Sequence, residues 1–261
     1  MVLGFSLLKA NTSHQIVCMV TPAVEAHVRT LLARVFDRII EVLPPEVSGV
    51  RTHQSDSWSK LCAWTLIEYS RIVYLGSDTL VLRNVDELFN CQPPCGVIDL
   101  FLWETTEHGP TVNGDVLVLQ PSLADYEQLL HYPKTWRRDK DEDAVFIKAW
   151  SDLYDGTMIT GRKTRLGPYD QALINRYFSR SITVLPYHYN VMPYLLVPKE
   201  QMERDWIWDL ERAKIIHYAI HKPWKHEPEP YLDSTGAFMP WRNIAEELFL
   251  WLPDSKALQT Y

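Results

Sequence analysis

Short apolar runs rich in β-formers alternate with amphipathic segments of helical period along the first part of this chain. Strands are predicted at 15–21, 38–42 and 71–75, with helices at 22–35 and 57–69 between them. Strands separated by helices pack as a mostly parallel sheet with helices on both faces and right-handed crossovers. The alternation therefore predicts an α/β fold.

The same alternation continues toward the C-terminus. Further strands are predicted at 116–119, 182–185 and 213–217, and further helices at 2–9, 123–131, 169–177 and 241–252. The charged region 133–166 is interpreted as a variable insertion. Because 261 residues are enough for one large α/β domain, we predict a single domain over residues 1–261.

The charge and the hydropathy pattern argue against two classes of partner. A net charge of −7 and a pI of about 5.7 disfavour binding to a nucleic acid backbone, which needs a basic face. No apolar run reaches the ~18 residues of a membrane span, and the N-terminus lacks the basic start of a signal peptide. We expect the chain as given to be soluble and cytoplasmic by default. A Golgi or secretory location stays open if a further segment precedes it.

The four cysteines fall into two pairs with different surroundings. Cys18 and Cys62 lie inside apolar runs and are predicted to be buried thiols. Cys91 and Cys95 flank Gln-Pro-Pro in a predicted loop, where no further zinc ligands are close in the sequence. Free thiols are the expectation for this second pair, with a loop disulfide as the alternative.

Polar residues follow or begin several of the predicted elements, at positions where α/β folds place ligand chemistry. They are Asp78, Asn113, Asp115, Asp170, Gln171 and His217. The ends of parallel strands face one edge of a sheet, so we expect these side chains to share a cleft. An oxygen from Asp78 and the imidazole of His217 suit Mn²⁺ or another divalent ion. The structural alternative is a helix-capping aspartate and a hydrogen-bonded core histidine.

Six stretches, in order along nearly the whole chain, resemble family 8 of the glycosyltransferases, the glycogenin-like family. They are SKLCAWTLIEYS (59–70), YLGSDTLVLRNVDELF (74–89), VNGDVLVLQPS (112–122), YDQALIN (169–175), LPYHYN (185–190) and IIHYAIHKPW (215–224). The resemblance implies a GT-A fold and transfer of a sugar from a UDP-sugar to an acceptor with retention of configuration. The resemblance does not identify the acceptor, which could be a glycan, a lipid or a protein. It is also compatible with a homodimer.

The resemblance extends to a branch of the family and to the start of the chain. The His-Tyr to Lys-Pro-Trp spacing and the cysteine-bearing loop are more similar to plant and protist glucuronosyltransferases than to glycogenin itself. Family members open with a strand that holds the nucleoside, and residues 1–9 resemble the helix after it. The chain is therefore expected to be truncated at its N-terminus relative to the family.

The family's metal motif is altered in this sequence. Where the family reads Asp-x-Asp, this chain has Gly76-Ser77-Asp78. By resemblance, Asp78 and His217 hold Mn²⁺, Ser77 borders the donor site, and Gly76 stands where the first aspartate is expected. Lys222 matches the lysine that contacts the diphosphate. Loss of one carboxylate is expected to weaken metal binding by more than the ~10–100-fold typical of an outer-shell partner.

Further residues match the family's donor-sugar positions. Asp170 and Gln171 match the Asp-Gln pair beside the anomeric carbon, where either could act as a nucleophile or stabilise the cationic sugar. Lys60 matches a lysine on the donor-binding helix, and Asn113 with Gly114 matches a segment that contacts sugar. Asp115 is an extra charge beside them.

Three functions are compatible with these observations. The first is a retaining glycosyltransferase that uses a UDP-sugar and a divalent cation. The second, favoured by Gly76 and by the N-terminal truncation, is a degenerate, non-catalytic GT-A domain that binds a nucleotide-sugar or serves as a scaffold. The third is a GT-A nucleotidyltransferase, against which the segment from His217 to Trp224 argues.

Overall fold

The structure is a computed structural model whose described residues form two compact units. It describes residues 1–46, 52–99, 112–135, 170–178, 181–193, 210, 212–219, 221–225 and 236–260. The terminal unit consists of Met1–Val42, Leu75–Leu88 and Pro186–Tyr261, and the central unit of Leu43–Tyr74 and Phe89–Leu185. A single GT-A domain over 1–261 stays a prediction.

The elements follow in chain order. The strands are β1 Val17–Val20, β2 Arg38–Glu41, β3 Ile72–Leu75, β4 Thr79–Val81, β5 Cys95–Ile98, β6 Val112–Leu119, β7 Thr183–Leu185 and β8 Ile215–His217. The α-helices are α1 Val2–Lys9, α2 Ala26–Leu32, α3 Leu123–Thr135, α4 Asp170–Tyr177 and α5 Met239–Trp251. The 3₁₀ helices are Thr52–Thr65, Asp86–Asn90, Tyr187–Tyr189 and Pro253–Thr260.

The terminal unit contains two pairs of strands. β1 and β2 are parallel, with Val17 opposite Arg38. β4 and β8 are antiparallel, with Thr79 opposite His217. Apolar side chains of α1 and α5 pack together, and the rings of Phe5 and Trp251 stack with centroids 5.3 Å apart.

The central unit is built on a sheet with strand order β3-β6-β5-β7. β5 pairs antiparallel with β6 and parallel with β7. The 3₁₀ helix at Thr52–Thr65 presents Trp58, Leu61 and Trp64 to the interior, and all three are buried. Their spacing of three residues matches the 3.0 residues per turn of a 3₁₀ helix, so they line one face.

The predicted α/β class is confirmed, and the sheets are mixed. Of the four strand pairs with a described register, two are parallel and two antiparallel. β5 was not predicted, because its four residues follow a Pro-rich stretch that reads as a loop. Since β6 follows β5 along the chain and pairs with it antiparallel, this step is not a βαβ crossover.

Several predicted boundaries were wrong. Helix α2 begins at Ala26 with Glu25 as its N-cap, so Pro22 lies before the helix and not in its first turn. The predicted helix at 57–69 is the 3₁₀ helix Thr52–Thr65. Apolar residues spaced three or four positions apart occur in both helix types, so the sequence pattern does not distinguish them. Residues 133–135 belong to α3, and the rest of the predicted insertion lies outside the described residues.

The four cysteines carry free thiols. Cys62 and Cys95 are buried, whereas Cys18, predicted to be buried, is half-buried in β1. Burial and the neighbouring Cys91 raise the pKa of Cys95 to about 12.

Within the described part of the chain, no helix combines the length and the apolar character needed to cross a bilayer.

Candidate functional site

Strand pairing in the terminal unit brings two sequence-predicted metal ligands together. Asp78 lies in the turn between β3 and β4, and His217 ends β8. The antiparallel register puts Thr79 opposite His217, and the amide of Tyr218 donates to the carbonyl of Asp78 over 2.9 Å. Asp78 Oδ1 consequently lies 3.5 Å from His217 Nε2.

A buried asparagine orients the histidine. Asn190 Oδ1 lies 3.1 Å from His217 Nδ1, and both residues are buried. An oxygen can only accept, so this contact requires a proton on Nδ1 and leaves Nε2 to face Asp78. Asn190 Nδ2 has no hydrogen-bond partner among the described residues. A hydrogen bond to the second ring nitrogen is the usual way in which a metal-binding histidine is held.

Lys222 also binds Asp78. Its Nζ lies 2.5 Å from Asp78 Oδ2 and donates to the carbonyls of Tyr218 and Ala219 over 2.5 and 2.9 Å. These three acceptors match the three N–H donors of an ammonium group. Lys222 is therefore an ordered part of this cluster and not a solvated surface lysine.

The two neighbours of Asp78 keep it ionised. Burial alone raises the pKa of this carboxyl, but the neighbouring His217 and Lys222 outweigh burial and bring the pKa to about 2. Asp78 thus presents a carboxylate at any pH near neutrality.

Asp78 and His217 fit a divalent ion as a pair of ligands. Carboxylate oxygens and imidazole nitrogens bind such ions at about 2.0–2.2 Å. Two donors 3.5 Å apart can therefore contact one ion. Oxygen plus imidazole suits Mn²⁺ among others. The ammonium of Lys222 competes for Asp78, because it carries positive charge on the same carboxylate.

The turn before Asp78 contains the two residues of the altered motif. The carbonyl of Gly76 accepts from the amide of Thr79 over 3.0 Å and from its hydroxyl over 2.8 Å. Gly76 is buried and is not among the described residues with positive φ, whereas Ser77 is exposed. The backbone at Gly76 therefore does not require glycine for its conformation.

A second polar cluster lies in the central unit around Lys60, which is buried in the 3₁₀ helix. Lys60 Nζ lies 2.7 Å from Asp170 Oδ2, 3.1 Å from Asp115 Oδ1 and 3.0 Å from the carbonyl of Gly114. Burial alone lowers the pKa of Lys60, but the two carboxylates outweigh it and raise the pKa above the ordinary value. Lys60 is thus a charged, fully hydrogen-bonded ammonium and not a solvated helix residue.

The side-chain amide of Gln171 is held at both ends. Its Nε2 donates to Asp99 Oδ2 over 2.9 Å, and its Oε1 accepts from the amide of Gly114 over 3.0 Å. Asn113 donates to the same Asp99 oxygen over 3.2 Å. These bonds tie helix α4 to strand β6 beside Lys60.

Close packing explains the glycine at position 114. A Cβ there would lie 3.0 Å from Lys60 Nζ and 3.4 Å from Gln171 Cβ, which is tight for the first contact. Strand β6 begins at Val112, so Asn113, Gly114 and Asp115 lie inside a strand. The predicted strand at 116–119 was therefore too short.

The structure groups the predicted site residues within each unit. Asp78, His217 and Lys222 meet in the terminal unit, where Ser77 is a neighbour in the chain. Lys60, Asn113, Gly114, Asp170 and Gln171 meet in the central unit.

Sequence reasoning missed Asn190 and Asp99 as site residues. Asn190 belongs to the family-like stretch 185–190, which was the available signal. Asp99 directly follows β5, the strand that was not predicted.

Comparison of sequences finds relatives in human and in plants. The chain is 29% identical over 274 positions to human glycogenin-1, covering 96% of this chain and 66% of that protein. It is 28% identical over 232 positions to galactinol synthase 2 of Solanum lycopersicum, covering 84% and 66%. It is 23% identical over 235 positions to inositol phosphorylceramide glucuronosyltransferase 1 of Arabidopsis thaliana, covering 85% and 39%. The chain thus spans less than two thirds of the length of these relatives, and no family model matches it.

Comparison of structures identifies the fold. The galactosyltransferase LgtC, solved in complex with donor and acceptor sugar analogs, superimposes with a TM-score of 0.57 at 16% identity, covering 94% of this chain and 90% of that one. An active-site mutant of LgtC gives a TM-score of 0.59 at 18% identity, with the same coverage. The bifunctional glycosyltransferase WbbM gives 0.58 at 15% identity, covering 94% and 48%. The fold is that of the GT-A glycosyltransferases.

Proposed function

We propose that this chain is a member of glycosyltransferase family 8, the glycogenin-like family with the GT-A fold, and that it transfers a sugar from a UDP-sugar to an acceptor with retention of configuration. The observation that carries the proposal is the meeting of Asp78 with His217, 3.5 Å apart, with Asn190 orienting the imidazole. The acceptor is a glycan, a lipid or a protein, and a homodimer stays a prediction.

We assign the terminal-unit cluster to the diphosphate end of the donor. Asp78 and His217 would hold Mn²⁺ or another divalent ion. Such an ion would neutralise the negative charge that develops on the leaving diphosphate. Lys222 supplies a further positive charge to the diphosphate once it exchanges Asp78 for a phosphate oxygen. We also assign Ser77, which is exposed in the same turn, to the donor-binding segment.

We assign the central-unit cluster to the donor sugar. When the bond from the anomeric carbon to the phosphate oxygen breaks, its electron pair leaves with UDP and positive charge develops on the sugar ring. The carboxylate of Asp170 is the group that stabilises this charge. Gln171 serves as a positioning residue, because both ends of its amide already bind Asp99 and Gly114. The acceptor hydroxyl then forms the new bond to the anomeric carbon on the face that UDP leaves, and its proton passes to a phosphate oxygen of the departing UDP.

The first experiment is calorimetric titration of UDP with and without Mn²⁺, on the wild type and on His217→Ala. We expect Mn²⁺-dependent binding by the wild type and a loss of at least about tenfold in His217→Ala, as expected for a lost metal ligand. His27→Ala is the control, because His27 is exposed in α2 and outside both clusters. UDP binding that does not respond to Mn²⁺ or to His217→Ala would contradict the assignment of the metal site.

Turnover is tested by UDP release from a panel of UDP-sugars. Asp170→Asn is expected to lower release by about 100-fold or more while UDP affinity changes little, because this carboxylate acts on the sugar and not on the nucleotide. Mn²⁺-dependent UDP binding without release from any UDP-sugar would instead indicate the non-catalytic nucleotide-sugar binder.

A further inference from the structure

Two cysteine side chains of the central unit lie against each other. Cys91 and Cys95 stand on the two sides of a Gln-Pro-Pro segment, and their thiols are in hydrogen-bond contact. Both are free thiols. A disulfide forms only where two cysteine side chains face each other closely, and this pair meets that condition. The proposed sugar transfer uses neither residue.

The two thiols differ in their access to solvent. Cys95 begins β5, which pairs with β6 on one side and β7 on the other, and it is fully buried. Its thiol donates to the carbonyl of Gln92 over 2.9 Å. Cys91 is half-buried and directly follows the 3₁₀ helix Asp86–Asn90, outside the strand ladder. A reagent in solution therefore reaches Cys91 first, and Cys91 is the residue that can shift to close a bond.

Charge decides which sulfur keeps its proton. Burial and the neighbouring Cys91 raise the pKa of Cys95 to about 12, while the charge of Arg71 acts in the opposite direction. Arg71 is held beside the pair by a hydrogen bond to the carbonyl of Phe89. Cys95 is therefore a thiol near neutral pH. A nearby guanidinium favours the thiolate, which is the form in which cysteine reacts.

We infer that Cys91 and Cys95 are a reversible thiol–disulfide site, oxidised by a low-molecular-weight disulfide such as glutathione disulfide. The Cys91 thiolate attacks one sulfur of the reagent, breaks its S–S bond and releases one glutathione thiolate. The Cys95 sulfur then attacks the Cys91 sulfur, breaks the mixed disulfide and releases the second glutathione thiolate. The proton of each cysteine passes to a departing thiolate. The pair thus loses two electrons and two protons, which the reagent gains.

The first step prepares the second. With Cys91 bound in the mixed disulfide, its negative charge is gone, and with it one of the two causes that raise the pKa of Cys95. The charge of Arg71 then acts on Cys95 without that opposition.

The test is equilibration of the full chain in buffers of reduced glutathione and glutathione disulfide, followed by alkylation of the free thiols and peptide mapping by mass spectrometry. We expect a Cys91–Cys95 linkage that dithiothreitol reverses. An internal disulfide releases two glutathione molecules, so diluting both forms of glutathione tenfold should raise its ratio to the dithiol by about tenfold. A mixed disulfide releases one, so its ratio to the thiol should not change. Cys18, half-buried like Cys91 but in the terminal unit, is the internal control and is expected to form only the mixed disulfide.

Two variants assign the roles within the pair. In Cys95→Ser, Cys91 is expected to stop at the mixed disulfide with glutathione, and in Cys91→Ser the buried Cys95 is expected to stay reduced. If either variant fails to fold, the dilution response of the wild type still decides. No Cys91–Cys95 linkage in the most oxidising buffer, or a mixed disulfide that persists at Cys91 in the wild type, would overturn the inference. Either result leaves the proposed sugar transfer standing, because its two polar clusters contain no cysteine.

Discussion

At the scale of single residues, the carboxylate of Asp78 is shared between two neighbours. One oxygen faces His217 and the other binds Lys222 at 2.5 Å. Lys222 therefore occupies part of the coordination space that a divalent ion needs. Loading a metal ion and a diphosphate requires Lys222 to release Asp78, so metal binding and diphosphate binding are expected to favour one another.

Lys222→Met tests this competition. We expect the affinity for Mn²⁺ without nucleotide to rise by about tenfold, because one unit of competing charge leaves a half-buried carboxylate. The affinity for UDP with Mn²⁺ present is expected to fall in the same variant. Both affinities are measured by calorimetry, with Mn²⁺ also followed by electron paramagnetic resonance. Lys225→Met, an exposed lysine in the same segment, is the control. An unchanged or reduced Mn²⁺ affinity in Lys222→Met would contradict the competition.

At the scale of elements, one aspartate joins the segment after α1 to the 3₁₀ helix at Asp86–Asn90. Asp86 begins this helix and accepts from the hydroxyl of Thr12 over 2.6 Å and from the amide and hydroxyl of Ser13 over 2.9 Å each. Partial burial raises the pKa of Asp86, but the hydrogen bonds from Ser13, Thr12 and Asn84 outweigh it and bring the pKa to about 2. The ionised form is thus the one that the folded protein stabilises.

This pKa predicts a pH dependence of stability. A lowered pKa in the folded state stabilises the fold above the unfolded value of 3.8, and this contribution is lost as the pH falls toward about 2. Asp86→Asn is therefore expected to lower the free energy of unfolding at pH 7 and to have little effect near pH 2. Urea denaturation at both pH values measures the difference. An equal loss at both would show that charge on Asp86 is not the cause.

Strand β5 depends on a glycine at its second position. A Cβ on Gly96 would lie 2.9 Å from both Cβ and Cγ2 of Val112 and 3.2 Å from Leu117 Cδ2. Val112 and Leu117 belong to the paired strand β6 and are buried, so they have little room to move. The pairing of β5 with β6 therefore relies on the absence of a side chain at this position.

Gly96→Ala is expected to lower the free energy of unfolding by about 1–3 kcal/mol, the usual cost of overpacking a core. Urea denaturation followed by circular dichroism measures it. The cost should be smaller in a Val112→Ala background, because one of the two close contacts is to Val112 Cγ2. If Gly96→Ala lowers the free energy of unfolding equally in both backgrounds, contact with the Val112 side chain is not the cause of the loss.

At the scale of the whole molecule, the terminal unit is assembled from three separate segments of the chain. Helix α1 near the N-terminus packs against α5 near the C-terminus, and Leu248 of α5 is buried with Phe5, Val35 and Leu252. Because these contacts join distant parts of the chain, the N-terminal helix depends on the C-terminal one for its apolar surroundings.

Leu248→Ala is expected to lower the free energy of unfolding by about 2–5 kcal/mol, as for other buried leucines. Leu250→Ala is the matched control, because Leu250 lies in the same helix with 80% of its surface exposed. Its effect should stay within about 0.5 kcal/mol. Thermal or urea unfolding of the full chain distinguishes the two. Similar small losses in both variants would show that α5 contributes little to the core.

Reading along the chain was enough to predict the α/β class, the position of most helices, the resemblance to the glycogenin-like glycosyltransferases, and Asp78 and His217 as candidate partners. These predictions depend on the hydrophobic periodicity of short segments and on the order of the motifs, both of which are properties of the sequence. Three-dimensional contacts were needed to show that Asn190 orients His217, that Lys222 binds Asp78, and that Lys60 lies between two aspartates. Three-dimensional contacts were also needed to show that β5 pairs with β6 and that Gly96 packs closely against Val112. These contacts follow from strand register and helix packing, which bring together side chains that no local pattern relates.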